Sequence, residues 1–164
     1  MGASGIGKTT LLNVICGLIP LRSGRLIAPE RVSRVFQEDR LIPSLSAWDN
    51  VRLVAPMTSN TEDEWKVDLD ALIGADSAHL LPEEMSGGMK RKVALVRALA
   101  FPSNALILDE PFTGLDIHSK EEAVNLILKH LEQRTLIVST HNPSDAQELG
   151  ASVFSLDKTA ATTS

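Results

Sequence analysis

Two short, unbroken apolar runs, Ala105-Leu-Ile-Leu108 and Thr135-Leu-Ile-Val138, constrain this chain more than any other feature. A strand wetted on one side alternates polar and apolar residues, whereas a continuous apolar run bounded by polar turns suits a strand covered on both faces. Between the runs, Ser119–Leu131 carries Ala123, Ile127 and Leu131 at helical spacing. Strand, helix and strand in that order make the crossover unit of a parallel sheet, so the expected fold class is α/β. Further helices are expected over about Lys8–Cys16, Ala47–Val54, Glu62–Ile73 and Met89–Ala100, and extended segments over Arg25–Ile27 and Val32–Phe36. The chain has 164 residues, about one domain's worth.

Composition removes several classes. Lys plus Arg is 16 and Asp plus Glu is 21, a net charge of −5, which argues against a chain that wraps nucleic acid. Cys16 is the only cysteine, so neither an internal disulfide nor a cysteine metal cluster is available. No apolar run approaches the roughly 18 residues of a membrane span, and no charged-then-apolar leader opens the sequence. These readings predict a compact protein of a reducing compartment, with a frayed tail at 158–164.

Gly2-Ala3-Ser4-Gly5-Ile6-Gly7-Lys8-Thr9 fits the phosphate-loop pattern G-x-x-x-x-G-K-[ST] at every fixed position. Glycines let backbone N–H groups turn inward around phosphate oxygens, and a helix starting near Lys8 adds its positive end. Lys8 then supplies a point charge to the β- and γ-phosphates, and Thr9 a hydroxyl to Mg²⁺. The pattern sits after a strand of about five or six residues, and only Met1 precedes it here. That strand is therefore expected to be missing, as in a fragment or a chain with a misplaced start.

Asp109 and Glu110 follow the first apolar run directly, and strand ends are where open α/β sheets bind ligands. Asp109 fits a carboxylate that holds Mg²⁺ directly or through water, and Glu110 one that polarises an attacking water. Farther back, Met85-Ser86-Gly87-Gly88-Met89 opens a helix with Ser86 as N-cap candidate. Lys90, Arg91 and Lys92 in its first turn oppose the helix dipole unless an anion lies nearby. A simple turn with a cap accounts for this segment equally well.

Taken in order, the phosphate loop, Gln37 in Val-Phe-Gln-Glu-Asp-Arg, Ser-Gly-Gly, Asp109-Glu110, Pro111-Phe-Thr-Gly114-Leu-Asp116 and Ser139-Thr-His141 resemble the motifs of ABC-type ATPase subunits. The resemblance covers essentially the whole chain. It implies a P-loop ATPase core at 1–38 and 101–157 with a helical subdomain at 39–100. It also implies that ATP and Mg²⁺ are held by residues 2–10, from Gly2 to Thr10, with Thr9, Gln37 and Asp109 at the metal. Glu110 would be the general base, and His141 and Gln37 would complete the catalytic set. Ser86, Gly87 and Gly88 would meet the nucleotide on a second subunit, and Asp116 would cross that interface. Upstream antiparallel strands with an adenine-stacking aromatic would be missing.

Departures are few. Lys8 to Gln37 is 37 − 8 = 29 residues, short for the family, and Met89 and Gly114 stand where Gln and Ala are usual. The resemblance implies a like partner subunit, separate membrane permease subunits that dock near Glu38–Pro43 and Ser46–Asn50, no nucleic acid, and a place on the cytoplasmic face of a bacterial inner membrane. Those two segments and Met85–Met89 look most like the nitrate, sulfonate and taurine importers. Alternatives are an impaired remnant that only binds partners, and a DNA-maintenance ATPase. The latter carries long insertions, yet only 109 − 8 = 101 residues separate Lys8 from Asp109, without heptads or cysteine pairs. A lone phosphate-loop kinase leaves Ser-Gly-Gly and His141 unexplained. His79, His118 and His130 match no motif and are assigned packed or solvated roles.

Overall fold

A computed structural model describes residues 6–56 and 59–156, with side chains from 61 onward in the second stretch. Gly2, Ala3, Ser4 and Gly5 of the phosphate loop, and the 158–164 tail, lie outside the described residues. Three parallel strands form the sheet in the order β1 (Val32–Val35), β2 (Ala105–Asp109) and β3 (Thr135–Ser139). Val35 pairs with Leu108, and Asp109 pairs with Ser139, so the strands end together at one edge. Helices α1 (Lys8–Ile15), α2 (Ala47–Arg52), α3 (Ser59–Ile73), α4 (Gly87–Ala100), α5 (Ile117–Leu131) and α6 (Pro143–Glu148) surround it.

Strand β2 is buried along its whole length, as its unbroken apolar run requires. Leu106, Ile107 and Leu108 are completely buried, and each contributes about 1.5–3 kcal/mol of burial free energy. The companion run differs from expectation. Thr135 is exposed and Leu136, Ile137 and Val138 are only half-buried, because β3 has one neighbouring strand among the described residues. Arg25–Ile27 is not a strand either: Ile27 is 81% exposed, and no described strand lies beside it to pair its backbone.

Helix α4 joins the two parts of the fold. It packs on α2 and α3 on one side and on β1 and α5 on the other. The Ser33 hydroxyl of β1 donates to the Ala98 carbonyl at 2.6 Å, which ties the helix to the sheet. One apolar cluster therefore runs from Val51, Trp65 and Leu69 through Val93 and Val96 to Leu106 and Ile127. His130 takes a packed role within this join. Its Nε2 lies 2.6 Å from Asp68 Oδ2 of α3, and its ring lies 4.2 Å from that of Trp65.

Candidate functional site

The site forms where β1 and β2 end beside the start of α1. Gly7 immediately precedes α1 with φ of 104°, a left-handed conformation that a side chain would strain. Lys8, Thr9 and Thr10 make the first turn, where backbone N–H groups have no acceptor inside the helix. Ile6, Gly7 and Lys8 are half-buried, while Thr9 and Thr10 face solvent. An anion placed here meets both these donors and the positive end of the helix dipole.

Glu110 follows β2 with φ of 50°, unusual for a residue with a side chain. Its N–H donates to the Ser139 carbonyl at 2.9 Å, which holds the strained turn against β3. That turn aims the carboxylate at Lys8 and His141. Oε1 lies 3.9 Å from Lys8 Nζ, and Oε2 lies 2.9 Å from His141 Nδ1. The His141 side chain is 74% exposed, so the pair opens to solvent where a substrate water can enter.

Asp109 is deeper, with 2% of its side chain exposed. Its Oδ1 accepts from the Ser139 hydroxyl, and its Oδ2 accepts from Arg34 Nη2 at 3.1 Å. Thr9, Gln37 and Asp109 line one cleft of about 520 Å³. Of these, Thr9 and Gln37 are exposed and can offer oxygens to a cation. Both Asp109 oxygens already have a protein donor, and each keeps a lone pair that can face a hydrated cation.

Ser86, Gly87 and Gly88 sit elsewhere, at the start of α4. Ser86 caps that helix by accepting from the Met89 N–H at 3.2 Å. A Cβ built on Gly88 would lie 3.7 Å from Leu115 and 4.0 Å from the Gly114 carbonyl, so this turn packs against the loop after Glu110. Asp116 caps α5, accepting from the Ser119 N–H at 2.8 Å. That bond holds the Asp116 carboxyl below the ordinary carboxylate range.

The basic first turn of α4 has an internal explanation that the sequence does not reveal. Arg91 is 4% exposed. Its Nη2 donates to the Asp109 carbonyl at 2.9 Å and to the Glu110 carbonyl, and its Nε donates to the Pro111 carbonyl at 3.0 Å. Nη1 reaches the Phe36 carbonyl at 2.6 Å, the Gln37 carbonyl at 3.3 Å and Asp39 Oδ1 at 3.2 Å. Lys92 donates to the Leu72 carbonyl at 2.8 Å and to Glu122 at 3.0 Å. Two of the three charges thus meet protein acceptors and not an external anion. Arg91 lies on the same helical face as Ala94, Leu95 and Ala98, and that phase was the signal that could have marked it as buried.

The buried Asp109 at the strand end, the Lys8–Glu110–His141 cluster and the capped glycine turn invite comparison with known proteins. Residues 1–113 match the family model described as ABC transporter. The chain belongs to the ABC transporter family. It is 36% identical to the taurine import ATP-binding protein TauB of Rhizobium johnstonii, over 94% of this chain and 64% of that protein. It is likewise 36% identical to an aliphatic sulfonates import ATP-binding protein of Frankia alni, over 95% of this chain and 64% of that protein. A thiamine import ATP-binding protein of Histophilus somni is 35% identical over 88% of this chain and 76% of its own length. The ABC chain described here thus spans under two-thirds of the first two relatives. Among solved structures, a dimeric ATP-binding cassette bound to ADP and Pi superposes with a TM-score of 0.74 at 27% identity, covering 90% of this chain and 75% of that one. The α/β architecture is therefore that of an ABC cassette, and no described helix is long and apolar enough to cross a membrane.

Proposed function

We propose that this chain is the nucleotide-binding and ATP-hydrolysing part of an ABC importer. The observation that carries the reading is the Glu110 carboxylate, set by a strained turn between Lys8 Nζ and His141 Nδ1 at the end of β2. In-line attack on a terminal phosphate needs a carboxylate that orients water, a cation on the phosphate and a donor that holds the geometry. Glu110, Lys8 and His141 supply these in turn. Residues 2–10 would supply N–H groups to the phosphates, and Thr9, Gln37 and, through water, Asp109 would hold Mg²⁺. Magnesium, bound with the nucleotide, would supply positive charge that offsets the negative charge of the reacting phosphate.

The remaining motifs fit a partner. Ser86, Gly87 and Gly88 leave the first-turn N–H groups of α4 directed at a γ-phosphate on a second, like subunit, and Asp116 faces that subunit. The dimeric cassettes among its structural relatives support such pairing. The helical stretch 39–100 offers the docking surface for separate permease subunits at the cytoplasmic face of a membrane. Asn50, completely buried, braces it by donating to the carbonyls of Ile42 at 3.2 Å and Leu45 at 3.0 Å. Sulfonate, taurine or a related organic solute is the cargo class its relatives' names suggest.

Calorimetry of Mg-ATP with the 164-residue chain tests the first step. Binding that Lys8→Ala abolishes, together with phosphate release that Glu110→Gln abolishes, is the expected result. Binding without release in the unsubstituted chain would reassign it to an impaired partner subunit, and no binding by a folded chain would remove the nucleotide reading.

A further inference from the structure

The metal cleft already contains a fixed positive charge. Arg34, on β1, has 5% of its side chain exposed and lines the cleft beside Thr9, Gln37 and Asp109. Nη2 donates to Asp109 Oδ2 at 3.1 Å, and Nη1 donates to Asn13 Oδ1 at 2.6 Å. Nη1 also lies 3.7 Å from Cys16 Sγ, and the guanidinium carbon sits 4.5 Å from the centre of the Phe36 ring. Helix α1, both strand ends and an aromatic face therefore hold the group in place. A guanidinium does not lose its proton in a protein, so the neutralisation of Asp109 is permanent.

We infer that Arg34 is the resident counter-ion of Asp109 and lowers the affinity of this cleft for a divalent cation. The Asp109 carboxylate has one oxygen on Ser139 and the other on Arg34 before any cation arrives. A cation entering beside Thr9 and Gln37 also meets the repulsion of the guanidinium, which acts strongly in a partly desolvated cleft. The cleft thus relies on nucleotide phosphates, and not on its own carboxylate, to retain a cation. Only that last consequence rests on the nucleotide reading above.

Mn²⁺ alone, without nucleotide, tests the inference on the whole chain. Electron paramagnetic resonance reports bound against free ion, and thermal melts are run in chelator and in Mn²⁺. Arg34→Gln and Arg34→Met, which leave Asp109 charged without its partner, should bind Mn²⁺ about tenfold or more tightly than the unsubstituted chain and gain melting temperature when it is added. Arg34→Lys, which keeps the charge, should stay within about threefold of the unsubstituted chain. A neutral variant that is unfolded in chelator and folds on Mn²⁺ addition also supports the inference. Equal Mn²⁺ affinity in the unsubstituted chain and Arg34→Gln would overturn it. So would tight Mn²⁺ binding by the unsubstituted chain that Asp109→Asn abolishes, and this comparison decides the matter if the neutral variants fail to fold. Failure to bind ATP would sink the nucleotide reading and leave the Mn²⁺ result standing.

Discussion

Replacing Arg91 by Met removes the side chain that ties the carbonyls at the ends of both β1 and β2 to α4. The methylene stem and its packing survive, so the change isolates the guanidinium. Its acceptors include the carbonyls of Phe36, Asp109, Glu110 and Pro111 and the Asp39 carboxylate. A buried acceptor left without a donor costs about 1–3 kcal/mol, although several of these carbonyls keep a second lone pair for water or a shifted neighbour. Taking roughly half of them as orphaned gives a loss of about 3–5 kcal/mol, a large share of the 5–15 kcal/mol of a typical domain. At about 2–4 °C per kcal/mol for a chain of this size, the melting temperature falls by about 6–20 °C. Urea unfolding followed by tryptophan fluorescence measures the difference, with Lys90→Met as control and expected within about 0.5 kcal/mol of the unsubstituted chain. Arg91→Lys should recover less than half, since an ammonium cannot span acceptors on both strands. A loss below 1 kcal/mol for Arg91→Met would refute the reasoning, because the bonds drawn to Arg91 would then carry no net free energy.

Other consequences follow from the same geometry. Asn50→Leu should destabilise the chain by about 2–4 kcal/mol in urea titrations, as it orphans the Leu45 carbonyl and the Ile42 N–H that donates to its Oδ1 at 2.8 Å. A near-neutral effect would mean that residues 42–46 find other partners. Asp116 has a carboxyl lowered by its bond from the Ser119 N–H, so its contribution is present above the ordinary carboxylate range and lost as pH falls through the lowered value. Asp116→Asn, which caps without ionising, should flatten the acid side of the stability curve, and unchanged acid sensitivity would count against the cap. His130→Phe should leave Asp68 with Lys129 alone, at 2.8 Å, and shift the Trp65 emission, and an unmoved spectrum would show that the ring contact is not maintained in solution.

Much of the fold was legible because its signals are local. The β2 run Ala105–Leu108 reads as a buried strand and is one, and Ser86 reads as an N-cap and accepts from Met89, three residues on. The helix after Gly7 begins at Lys8 for the same kind of reason. Misreadings came where the outcome depended on neighbours. Thr135–Val138 has the composition of a doubly covered strand but one neighbouring strand among the described residues, and Arg25–Ile27 has strand-like residues and no described strand to pair with. The charges at Lys90–Lys92 left an anion and a simple capped turn equally open in the sequence, because the acceptors for Arg91 lie 18 to 55 residues away along the chain.

What the sequence alone determined is the set of chemical groups and their local frames: a glycine-rich turn into a helix, a carboxylate pair closing a buried strand, and a capped start for α4. These follow from backbone conformational freedom and from hydrogen bonds spanning three or four residues, which spacing records directly. What only the tertiary structure decided is where the charges go. The parallel register that aligns Asp109 with Ser139 also brings Arg34, 75 residues away, onto the same carboxylate, and it gathers the carbonyl ends of β1 and β2 around Arg91. Such pairings join groups remote in the chain, and burial makes each of them necessary, because a charge withdrawn from water must find its partner inside the fold.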